Sequence, residues 1–126
     1  MDTKLYDLSF VKEMSGNNEE FIKQLIELFI ESVPESAQNI NNYYKTGNYE
    51  KLVCEIHKLK STIKTVRIPA FTDQIEEMEK LAKSGKNPKR LKHLVFEFNE
   101  IMPKAVEQLK EELNNIDEES NPAESI

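Results

Sequence analysis

The stretch "EIHKLKSTIK", residues 55–64, places His57, one of two histidines in the chain, among lysines. An imidazole in such a setting has a defined chemistry. Nearby cations disfavour its protonated form, so a ring nitrogen keeps its lone pair, and the same cations stabilise an anion once it is attached there. Those are the requirements of a phosphoryl acceptor. The side chains sharing a helical face with His57 would be Val53, Cys54, Lys60, Ser61 and Lys64, and from His57 to Thr72 there is no acidic residue. At about 100° per residue, Leu52, Ile56, Leu59, Ile63 and Val66 fall in one narrow sector, and His57 lies roughly 140° from its middle, pointing to solvent. His93 has a similar exposed position with Lys89 and Arg90 nearby, so exposure alone does not distinguish a reactive histidine.

The elements that must position His57 read as helices. Three glycines and five prolines punctuate 126 residues, and no β-branched alternation is present. A short helix is expected from Leu8 to Met14, with Asp7 as N-cap. A second helix, capped by Asn17 or Asn18, carries the stripe Phe21, Ile22, Leu25, Ile26, Phe29, Ile30 and Val33, bends at Pro34, continues through Ala37, Ile40 and Tyr44, and turns at Gly47. The histidine helix starts near Asn48 and ends before Pro69, because the residue preceding a proline avoids helical torsions. A fourth helix carries Phe71, Ile75, Met78 and Leu81 up to Gly85. The last starts near Pro88 and buries Leu91, Leu94, Val95, Phe98, Ile101 or Met102, Val106, Leu109 and Leu113, with a kink at Pro103. The expected fold is all-α: an antiparallel up-down-up-down four-helix bundle over residues 1–113 with a short additional N-terminal helix. Residues 114–126, polar and acidic, are expected to form a disordered tail.

Composition narrows the function classes. With 17 basic and 23 acidic residues the formal charge is −6, which argues against nucleic acid or an anionic membrane as the main partner. The single cysteine, Cys54, allows no internal disulfide, and no apolar run reaches the roughly 20 residues of a membrane span. A cytoplasmic monomer is expected, and Met1 with the acidic tail fits a stand-alone protein. No glycine-rich phosphate loop and no H-E-x-x-H pattern is present, so neither a nucleotide site nor a metal site is expected.

The words "H-K-L-K-S", set between "YDLSFVKEMSGNNEEFIKQLIELFIESVPESAQNI", "GNYEKL" and "EEMEKLAKSG", resemble the histidine phosphotransfer (HPt) domain, whose hallmark is H-x-L-K-G. The resemblance covers nearly the whole chain. It implies a four-helix bundle that carries a phosphoryl group on His57 between aspartates of response-regulator receiver domains, fed by a hybrid sensor kinase, in a two-component phosphorelay. It implies no autonomous kinase or phosphatase activity and no cofactor, Mg²⁺ belonging to the partner receiver. His57 matches the phosphorylated histidine and Lys60 the lysine that holds the phosphoryl group. Ser61 stands at the usual glycine, small enough for a receiver loop to approach. Lys64 occupies a commonly small position and is a second candidate for phosphoryl contact, and Arg67 replaces a frequent glycine. The short first helix of the family docks partners, which points to Phe10, Val11 and Met14, with Val53 and Lys58 beside the histidine. The competing reading is a receiver-binding helical adaptor that has lost phosphotransfer.

Overall fold

The computed structural model describes residues 4–120, with side chains as far as 116. Five helices follow one another: α1 (Ser9–Ser15), α2 (Glu19–Thr46), α3 (Tyr49–Thr65), α4 (Thr72–Ser84) and α5 (Pro88–Ser120). α2 packs on α3 and α5, and α4 packs on the same two helices, so α2 to α5 close into the expected antiparallel bundle. Asn18 and Asn48 start α2 and α3 by accepting hydrogen bonds from the amides of Phe21 (3.1 Å) and Lys51 (3.3 Å). Gly47 and Gly85 end α2 and α4 in the left-handed region, at φ 71° and 67°, where a side chain would be strained.

α2 runs unbroken through Pro34, and α5 through Pro103. The buried stripe of α2 is narrower than its sequence suggests: Ile22, Ile26, Phe29, Val33 and Ile40 are enclosed, whereas Phe21 is exposed. Phe71 and Phe98 meet across the core with ring centroids 5.7 Å apart, and of the pair Ile101 and Met102 it is Met102 that is buried. In α4, Ala82 and Glu79 are enclosed while Leu81 is only partly covered.

The N-terminal segment crosses the end of the bundle where α2 begins and α3 and α5 finish. The Leu5 amide donates to Gln108 Oε1 at 2.7 Å, the Tyr6 hydroxyl to Glu112 Oε2 at 3.1 Å, and the Asp7 amide to the Arg67 carbonyl at 2.8 Å. Burial, reinforced by Glu112, pushes the Tyr6 hydroxyl up to about 12. Asp7 is not the N-cap itself, a place Leu8 takes without a side-chain bond; instead its Oδ1 accepts from the amide and hydroxyl of Ser9 at 2.9 and 2.6 Å.

The largest departure is at the other terminus. Residues 114–120, expected to be disordered, continue α5 as helix. The reason is Ile116, which extends the stripe of Leu109 and Leu113 by another turn and packs partly buried against the core. Residues 121–126 of the expected tail lie outside the described residues. No helix among the described residues is long and apolar enough to cross a membrane.

Candidate functional site

α3 owes its orientation to Leu52, Ile56, Leu59 and Ile63, all buried. That stripe turns His57 outward, and its side chain is 70% exposed. His57 is nevertheless not free. Its Nδ1 lies 2.8 Å from Oε2 of Glu79 on α4, whose own side chain is only 7% exposed, and Lys60 Nζ lies 3.0 Å from Oε1 of the same carboxylate. A carboxylate can only accept, so Nδ1 is the nitrogen that donates to Glu79, and in the neutral tautomer this leaves the lone pair on Nε2. Burial alone would raise the Glu79 carboxyl. The hydrogen bonds from Lys60 and His57 outweigh it and hold the group below the ordinary glutamate range, ionised at neutral pH.

Glu79 is a site residue that local sequence inspection does not reach, and it changes the electrostatics expected of the site. The lysine-rich face of α3 is not an uncompensated positive field. Lys60 is bound to Glu79, and Lys64 Nζ is 2.6 Å from Glu76 Oε1, a half-exposed pair that also holds Glu76 below its usual range. The carboxylates come from the next helix, 12 to 22 residues downstream, beyond any i, i+4 inspection. A signal was available all the same: Glu79 stands four residues after Ile75 and three before Ala82, inside the apolar sector of α4, where an acidic residue needs a partner.

The remaining candidates separate. Ser61 is exposed one turn after His57, Lys58 is exposed beside it, and Val53 is half-buried against the core. On α1, Phe10 and Met14 are 38% and 52% exposed, but Val11 is completely buried. Val11 is therefore a core residue and not part of a docking surface: a seven-residue helix has too little cohesion of its own and is held by what it buries. Cys54 is an exposed free thiol. His93 is paired with Glu97 on its own helix at 2.7 Å.

The site is thus an exposed imidazole on an all-α bundle, its Nδ1 set against a buried carboxylate of the neighbouring helix. The Hpt domain family model matches residues 24–119, and the chain belongs to that family. It is 31% identical over 81 residues, 62% of its length, to the phosphorelay intermediate protein YPD1 of Candida albicans (strain SC5314 / ATCC MYA-2876), of which the match covers 44%. The chain thus spans under half the length of this curated relative. No solved structure matches it.

Proposed function

We propose that the chain is a phosphorelay intermediate that carries a phosphoryl group on Nε2 of His57 between aspartates of receiver domains. One observation carries this reading above the others: His57 is open to solvent while its Nδ1–H is held at 2.8 Å by a buried, ionised Glu79. Nε2 attacks the phosphorus of a receiver's phospho-aspartate in line. The N–P bond forms as the bond from phosphorus to the aspartyl oxygen breaks, and the electron pair leaves with the receiver carboxylate. The ring gains positive charge in this step, and the Glu79 carboxylate beside Nδ1 stabilises it without moving. Return of the group to a second receiver reverses the step.

Lys60 is assigned a double part. It keeps the Glu79 carboxylate in place and contributes positive charge next to the ring, while Ser61 is small enough to admit the receiver loop. Lys64, bound to Glu76, stands to the side of this exchange. The docking surface assigned to the receiver is the exposed part of α1, Phe10 and Met14, with Lys58 and the uncovered edge of Val53; the Mg²⁺ of the exchange belongs to the receiver. Membership of the Hpt family and the similarity to a phosphorelay intermediate support this reading. The expected partners are response-regulator receivers and a hybrid sensor kinase, with the carrier acting as a monomer without kinase activity of its own.

The test is transfer from phosphorylated receiver domains. Acid-labile phosphate should appear on the wild-type chain and not on His57→Ala, whose fold should be intact because the side chain is mostly exposed. Transfer that persists in His57→Ala overturns the assignment. Receiver binding without any capture of phosphate by the wild type would instead identify an adaptor that has kept the docking face alone.

A further inference from the structure

α1 is attached to the bundle through two buried residues, its N-cap Leu8 and Val11, and at a point beyond the core, just past the end of the histidine helix. There the Asp7 amide donates to the Arg67 carbonyl, and the Arg67 side chain turns back so that its guanidinium lies 5.0 Å from the centroid of the Phe10 ring. Arg67 is exposed and, among the described residues, no carboxylate lies within ion-pair distance of it; Asp7 acts on it only at longer range and is already bonded to Ser9. The stacking on Phe10 is thus its main engagement. Phe10 and Arg67 together border an open cleft whose other walls include Ser61 and Lys64, so the stack is continuous with the surface one turn from His57.

We propose that Arg67 is a positioning residue for partner docking: by stacking on Phe10 it fixes the rotation of α1 and holds the exposed Phe10–Met14 edge in register with His57. This rests on the proposed role of the chain as a receiver-dependent carrier. The physical case is that burial of Leu8 and Val11 fixes how deep α1 sits but leaves a seven-residue helix weakly constrained about its own axis, since a single side chain, Val11, is buried along its length. A planar cation over the face of Phe10, anchored through its own backbone to the chain preceding α1, supplies a second point of fixation away from that axis. Two points determine a rotation where one does not.

The experiment is receiver-to-carrier transfer with the full chain, read as the half-saturating receiver concentration and the rate at saturation. Arg67→Met, which keeps an apolar stem and loses the cation, should raise the half-saturating concentration roughly two- to fivefold, the range expected of an exposed cation–π contact, with the saturated rate unchanged. Arg67→Lys should recover most of the loss. Phe10→Leu should weaken docking in the wild-type background, and combining it with Arg67→Met should cost less than the product of the two single effects. Amide exchange in residues 9–15 should quicken in Arg67→Met while that of α2 to α5 stays the same. Strictly multiplicative effects of the two substitutions, or Arg67→Met indistinguishable from wild type, overturn the positioning role and leave the carrier assignment standing. A wild-type chain that accepts phosphate from no receiver overturns both.

Discussion

Glu79→Gln is the substitution that most directly interrogates the site. The wild-type carboxylate accepts from two donors at once, His57 Nδ1–H on one oxygen and Lys60 Nζ on the other. A glutamine of the same shape has a single acceptor oxygen and cannot serve both. A hydrogen bond to a charged group contributes about 1.5–3 kcal/mol, against about 1 kcal/mol for a neutral one. As the His57 ring gains charge during phosphoryl transfer, the substitution therefore removes about 1.4 kcal/mol of stabilisation, roughly a tenfold fall in the saturated transfer rate. If the amide turns its oxygen to Lys60, its NH₂ faces Nδ1 and the ring proton is displaced to Nε2, which deepens the loss. Quenched-flow transfer from a saturating phosphorylated receiver measures the rate, and the ¹⁵N shifts of the imidazole report the tautomer. A variant that transfers within twofold of wild type, with the Nδ1–H tautomer still dominant, would refute the role given to Glu79.

Lys60→Ala should destabilise the fold by about 1–3 kcal/mol, because it leaves a buried carboxylate short of a donor, whereas Lys64→Ala, which opens only a half-exposed surface pair, should leave the midpoint of chemical denaturation unchanged. Val11→Ala removes two fully buried methyl groups and should cost about 2 kcal/mol, measured in the same way. Acid should expose the Glu79 contribution. Its carboxyl is depressed in the folded state, so the stability it provides is complete above the unfolded-chain value of about 4.3 and disappears as pH falls through the lower folded value; the stability gap between wild type and Glu79→Gln, followed by thermal unfolding, should therefore begin to narrow only below about pH 4.3 and close once the pH is below the folded value.

The sequence by itself determined what depends on neighbours three and four residues apart. The helices, their asparagine and glycine boundaries, the buried stripe of α3 and the outward direction of His57 all follow from local periodicity and torsional preference, and each is found in the fold. The end of α5 is the exception, because the stripe there thins to Ile116 alone. Only the tertiary structure decided which charges meet. Glu79 and Glu76 reach Lys60 and Lys64 from a separate helix, Arg67 turns back over Phe10 across more than fifty residues, and Val11 sinks into the core while Phe10 and Met14 stay out. The physical reason is that such contacts are set by the packing of whole helices, and an ion pair or a cation–π stack adds only a small increment once that packing has brought its partners together.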